Sequence, residues 1–240
     1  MELLTREDVR RMSDNGTRGP VVVNKGQTLT PGARDWLAAH KIQAVYPQGR
    51  EEGSAPSPAM YRTLSGATLT EKPEHMTHLK GNILVPKDHP RIAFRGMIDA
   101  LEAEILLTQQ VSAAYPRLVS ELEEVLSFVR NFIRCDVLDE PLRDIRLCGY
   151  DAGQLREYSH YPDKYLGQPH FLPSHTDGAA LLAVNKLRTL VRQTELAAYA
   201  AFQDADGAVT RGDIILGLNR LSSLMWIMMI KLKGGQYEHN

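Results

Sequence analysis

Cysteine is nearly absent from this 240-residue chain: only Cys135 and Cys148 occur. Two thiols cannot build a disulfide framework or a four-thiolate zinc site, and their scarcity suits a reducing compartment. Long apolar runs are missing as well. The longest, residues 224–230, has seven members, where a bilayer-spanning helix needs about 20. The opening Met1-Glu2-Leu3-Leu4-Thr5-Arg6 has no apolar stretch of the kind that directs secretion. Charge of one sign is also lacking, with 28 Lys and Arg against 29 Asp and Glu. No bulk attraction to nucleic acid follows from that balance. No glycine-rich loop ending in Lys-Ser/Thr occurs, and no Gly-x-Gly-x-x-Gly, so any nucleotide must be held by another route. The expectation is a cytoplasmic protein bound to neither membrane nor nucleic acid.

What is present, 43% apolar residues over this length, suits one good-sized core with a small appendage. Residues 1–50 read as a small α/β unit. A short helix is expected over 4–12, strands over 20–23 and 42–46, and a helix over 31–39. There Thr30 can cap the helix and Pro31 occupies its first turn. Residues 47–58, with Gly49, Gly53, Ser54, Pro56 and Ser57, have linker composition. The linker is taken as 51–75 and the main domain as 76–235. Helical spacing of apolar residues marks 92–114 and 118–133, broken at Tyr115-Pro116. A loop-rich stretch covers 135–176. Two further helices run over 177–202 and 211–232, the last capped by Thr210 and ended by Gly234-Gly235. The fold class is mainly α: a bundle of four to five helices with a small N-terminal α/β appendage.

Three clusters can carry chemistry. Arg188, Arg192 and Glu195 share one helix face; they make either a solvated salt-bridge stripe or a grip for a polyphosphate. Asn219, in Asn219-Arg220-Leu221-Ser222-Ser223, is either a buried structural amide or a contact for a ligand's oxygens. Between His78 and Arg91 lie five groups that are or can be cationic, with Lys80, Lys87 and His89, just before a helix. That is either an exposed basic loop or an anion cradle.

Taken together, these residues resemble a known family. Thr77-x-Leu79-x-Gly81-x-x-x-Val85-x-Lys87-Asp88-x-Pro90-Arg91, with Gly96 and Asp99 beyond, is similar to the entry segment of the helical-bundle ATP:corrinoid adenosyltransferases. Arg188-x-x-x-Arg192-x-x-Glu195 and Asn219-Arg220-Leu221-Ser222 resemble two further motifs of that family, in the same order. Leu29-Thr30-Pro31-x-Ala33-Arg34, Thr77-His78-Leu79 and Arg134-x-Asp136-x-Leu138-x-Glu140-Pro141 resemble its ethanolamine-utilisation branch.

The resemblance implies transfer of the 5′-deoxyadenosyl group of ATP, supplied with Mg²⁺, to reduced cobalamin, releasing triphosphate. It places Thr77, His78, Lys87, Arg188, Arg192, Glu195 and Asn219 at ATP. Asp99 would pair with Arg188 across a subunit boundary. His170, Phe171 and Leu172 fall where relatives set an apolar group beneath the corrin, which eases reduction of the metal by displacing its lower ligand. Because the reduced cobalt is itself the nucleophile, the protein needs no activated serine or thiol. Its tasks are positioning and charge stabilisation.

The resemblance further implies a homo-oligomer, dimer or trimer, serving an adenosylcobalamin-dependent ammonia-lyase with a reductase, in a bacterial microcompartment. Departures are visible too. Leu69-Thr70-Glu71-Lys72-Pro73-Glu74-His75 stands where the better-known branch has a glycine-containing phosphate loop, leaving Lys72, His75 and His78 as candidates there. No cysteine precedes Cys135, so the Cys-rich iron or zinc motif of many branch members has no counterpart. Ser223 replaces a frequent acidic residue. A corrinoid carrier or sensor without turnover, or a structural partner of shell proteins, are the competing readings.

Overall fold

A computed structural model describes residues 2–14, 19–24, 26–46 and 60–238. The chain divides into two compact units, Met1–Ser57 and Pro58–Asn240. The linker expected over 47–58 lies outside the described residues.

In the first unit, strand β1 (Glu2–Leu4) runs into helix α1 (Arg6–Asp14), followed by β2 (Val21–Val22) and β3 (Gln27–Leu29). Helix α2 (Pro31–Ala39) and β4 (Ala44–Val45) complete it. β1 pairs with β3 and β2 with β4, both parallel. As expected, Thr30 caps α2, its hydroxyl accepting from the Ala33 N–H, and Pro31 fills the first turn. A core of Leu4, Val9, Val21, Val23, Leu29, Ala33 and Leu37 closes the unit. Strands β1 and β3 were not expected. At three residues each, only their mutual pairing defines them.

The second unit opens with a four-stranded sheet in the order β6-β5-β8-β7: β5 (Tyr61–Thr63), β6 (Thr68–Leu69), β7 (Met76–Lys80) and β8 (Ile83–Pro86). This corrects the linker boundary, because residues 61–69 are strand and belong to the main unit. Gly81, at φ 55, makes the turn between β7 and β8 in a backbone conformation that strains other residues.

Four long helices form the bundle, as expected: α3 (Pro90–Val111), α4 (Pro116–Leu138), α7 (Ala179–Phe202) and α8 (Gly212–Lys233). Between α4 and α7 the loop-rich reading misses structure. A short hairpin, β9 (Arg146–Leu147) with β10 (Tyr150–Asp151), leads into α5 (Ala152–His160) and α6 (Pro162–Leu166). α5 starts in a full capping box between Asp151 and Gln154. Thr210 does not cap α8. Its hydroxyl donates to the Phe202 carbonyl and so ties the α7–α8 turn, while Arg211 holds the cap position.

α7 packs against both α3 and α8, and α5 and α6 lie on α8. α8 is apolar enough by length and composition to cross a bilayer. Its apolar side chains, including Ile214, Leu218, Leu221, Leu224 and Ile227, are instead buried in the bundle core. That core gathers Phe94, Ile98, Leu101, Leu122, Phe132, Leu187 and Val191 from the other helices.

Candidate active site

Two antiparallel contacts fix the register of α7 on α8. The Arg188 guanidinium lies 5.6 Å from the Trp226 ring centroid, and the Asn219 amide donates to Glu195 Oε1 at 3.2 Å. Seven residues along α7 match seven along α8, two helical turns on each. Ser222 therefore lies level with Arg192. Asn219 is exposed, which removes the buried structural amide as an explanation. Its partner Glu195 orients it along the groove between the two helices.

The groove is cationic. Arg188 is half-buried and its guanidinium donates to Asn185 Oδ1, at 3.3 and 3.2 Å. Burial, then the neighbouring Arg192 charge, pull its pKa down. Arg192 is exposed and makes no hydrogen bond or ion pair among the described residues. Arg220 is likewise depressed by burial and by Arg156, with Glu195 opposing. Guanidiniums stay protonated under such pressures; the downward direction reflects burial first and the neighbouring guanidinium second.

An aromatic wall continues from the cationic row. The Trp226 ring stacks on Phe171, centroids 5.2 Å apart and 19° between planes. It lies nearly parallel to the His170 ring, centroids 5.8 Å apart and 17° between planes. Leu172, beside them, is 92% exposed, an apolar side chain offered to solvent. Lys233 Nζ sits 5.6 Å from the Phe171 ring centroid and pairs with Asp177 at 2.5 Å.

The entry segment lies elsewhere on the chain. Arg91 Cζ is 5.8 Å from the Phe202 ring centroid, and Lys186 pairs with Glu104 at 2.7 Å, so α3 runs antiparallel to α7. That sets the start of α3 about 15 Å beyond Arg192 along α7, at ~1.5 Å per residue. Lys87 pairs with Glu74 at 2.9 Å. Thr77 and His78 are on β7, and the His78 ring meets Tyr61 edge-on at 5.6 Å. Lys80 pairs with Asp139. Asp99 is exposed on α3, level with Arg192, and forms no hydrogen bond or ion pair with Arg188. Within one chain, then, Arg188, Arg192, Glu195, Asn219, His170 and Phe171 come together. Thr77, His78, Lys87 and Asp99 do not join them.

Asp136 anchors the entry segment. Its carboxylate, fully buried, accepts from Arg91 Nε and Nη2 at 2.9 and 2.5 Å and from Arg95 Nε at 2.7 Å. Arg95 donates onward to the Leu79 carbonyl at 2.9 Å, holding β7.

Two features of the groove were not anticipated. Trp226 sits seven residues past Asn219, the step that returns a helix to the same face, and that spacing could have flagged it. Arg220, inside the Asn-Arg-Leu-Ser motif, carries no sequence signal that separates it from its neighbour Asn219. No thiol offers a nucleophile: burial raises the pKa of both Cys135 and Cys148. Among the described residues, no three His, Cys, Asp or Glu side chains cluster as a metal site.

Two guanidiniums, an exposed amide held by Glu195 and an adjoining aromatic wall thus share the groove between α7 and α8. Residues 67–232 match the sequence family of the cobalamin adenosyltransferases, and the chain belongs to that family. It is 33% identical to the corrinoid adenosyltransferase EutT of Salmonella typhimurium LT2, over 84% of this chain and 81% of that protein. The EutT of Escherichia coli K12 matches to the same extent. A variant PduO-type ATP:corrinoid adenosyltransferase from Lactobacillus reuteri, solved with ATP, shares the fold at 20% identity. Its TM-score is 0.50, covering 68% of this chain and 91% of that one.

Proposed function

We propose that this chain transfers the 5′-deoxyadenosyl group of ATP to cob(I)alamin, forming adenosylcobalamin and inorganic triphosphate. The observation that carries the reading is the α7–α8 groove, where Arg188, Arg192, Glu195 and Asn219 line up in a member of the cobalamin adenosyltransferase family. Cobalt(I) supplies the electron pair for the new cobalt–carbon bond to C5′, and the C5′–O5′ bond breaks as triphosphate leaves. Arg188 and Arg192 hold the triphosphate and take up the charge that develops on the leaving oxygen. Asn219, oriented by Glu195, contacts the nucleotide's oxygens. The magnesium salt of ATP is the substrate. The aromatic wall with Leu172 faces the corrin and keeps water from the reacting atoms.

Lys87, Thr77 and His78 of a second copy complete the groove, making the working form a homo-oligomer with Asp99 at the subunit boundary. Support comes from the ~15 Å between the start of α3 and Arg192 within one chain. The product serves an adenosylcobalamin-dependent ammonia-lyase acting on ethanolamine, in the cytoplasm and inside a microcompartment. The similarity to two EutT proteins supports that assignment.

Anaerobic incubation with ATP, Mg²⁺ and chemically reduced cobalamin should give the absorbance of the cobalt–carbon bond. No product under these conditions overturns the proposal. Arg192→Ala should lower kcat/KM about 100-fold; unchanged turnover and ATP affinity would refute its role. Mixing the impaired Lys87→Ala and Arg192→Ala copies should restore part of the activity if two chains share each site. Failure of the mixture to recover, with both variants folded, excludes shared sites.

A further inference from the structure

We infer that His170 is a positioning residue, locked as the neutral Nε2–H tautomer, that holds Trp226 between the triphosphate groove and the corrin-facing segment. This rests on the proposed adenosyl transfer for its functional consequence, but the tautomer follows from hydrogen bonding alone. Indole N–H can only donate, so the 3.2 Å contact from Trp226 Nε1 makes His170 Nδ1 an acceptor. The His160 carbonyl can only accept, so the 3.2 Å contact to His170 Nε2 makes that nitrogen the donor. Both ring nitrogens are therefore committed to the protein. Neither lone pair nor proton is left to ligate or hydrogen-bond a substrate, so His170 meets the corrin, beside Phe171 and Leu172, by packing alone.

The consequence reaches both halves of the site. Trp226 touches His170, Phe171 and the Arg188 guanidinium. A proton added at Nδ1 would set an imidazolium N–H against the indole N–H, and the pair would part. Its freed indole then no longer backs Phe171 or Arg188. Among the described residues, the charged and titratable groups next to this cluster are Arg188 from α7, Lys233 from α8 with its partner Asp177, and His160 at the end of α5, whose carbonyl meets His170. Protonation of His170 should thus be an acid limit on the enzyme, acting through the indole rather than on the reacting atoms.

Trp36 and Trp226 are the only tryptophans, so Trp36→Phe isolates the emission of Trp226. In that background the emission should change as the pH falls from about 8 to 5, the span in which histidine titrates. His170→Asn keeps an acceptor without a titrating ring and should flatten the change. His170→Ala should alter Trp226 emission at pH 8 and lower turnover about tenfold with far-UV circular dichroism retained, and His170→Asn should recover most of the loss. The Asn variant should also lose the acid limb of the wild-type pH–rate profile. A Trp226 emission that is indifferent to pH and to His170→Ala would overturn the inference. So would an acid limb that persists in His170→Asn. Because emission is read on the protein alone, an inactive wild type would refute adenosyl transfer while leaving the His170–Trp226 lock separately testable.

Discussion

Replacing Asp136 by asparagine tests how the entry segment is held. The carboxylate is 0% exposed and receives three short N–H bonds from two guanidiniums, whose side chains are only 22% and 17% exposed. Asparagine keeps the shape but removes the charge. Its oxygen can still serve Arg91, and its NH₂ then points at the Arg95 Nε–H. Two guanidiniums are left with no counter-charge in a largely dry pocket. Breaking a buried pair from one side costs about 3–5 kcal/mol, a large share of the ~5–15 kcal/mol that holds a domain together. At roughly 2–4 °C per kcal/mol for a unit of this size, the melting temperature should fall by about 6–20 °C.

The same change loosens β7, since Arg95 reaches the Leu79 carbonyl. The KM for ATP should therefore rise about tenfold with a smaller effect on kcat. Calorimetry and steady-state kinetics read the two effects. The triple variant Arg91→Met, Arg95→Met, Asp136→Leu removes all the charges together and should be less destabilised than Asp136→Asn. The reasoning fails if Asp136→Asn stays within about 1 kcal/mol of wild type, or if the triple variant is the worse of the two.

Three further outcomes follow from the packing. Burial works to raise the Asp213 carboxyl, but the Arg211 guanidinium and the Leu142 N–H outweigh it and hold its pKa below the ordinary value. Its contribution is present above the unfolded value of ~3.9 and lost as pH falls through the lower folded value. The stability gap between wild type and Asp213→Asn should accordingly shrink between about pH 5 and 3, and a constant gap would contradict this. Gly217 faces Leu142 and Phe132, and an added Cβ would lie 2.5 Å from Leu142 Cδ2 and 3.0 Å from the Phe132 ring. Gly217→Val should cost about 1–3 kcal/mol in denaturant titration, relieved in part by Leu142→Ala. Burial pushes the Cys135 and Cys148 thiols up, with Glu121 and Glu124 adding to the effect at Cys148. Both should resist a thiol reagent at pH 8 in the native protein and react after unfolding.

Signals carried within one turn of chain were legible without a structure. Thr30-Pro31 announced the start of α2, and the apolar spacing of α3, α4, α7 and α8 announced a bundle, because a helix satisfies its own backbone and needs only a buried stripe. Arg188, Arg192 and Glu195 could be placed on one face for the same reason. Strands have no such independence. β1, β3, β5 and β6 are two or three residues long and exist only by pairing with another segment, so 61–69 fell inside the linker bounds of 51–75. α5 is nine residues long with a polar outer face, too short for its spacing to stand out among the prolines around it. Only tertiary structure decided which residues of α8 meet which of α7. The antiparallel register sets Asn219 against Glu195 and Trp226 against Arg188, and the chain's return from α6 lays His170 and Phe171 on that same indole. Periodicity defines a face; packing between helices distant in sequence determines what that face meets.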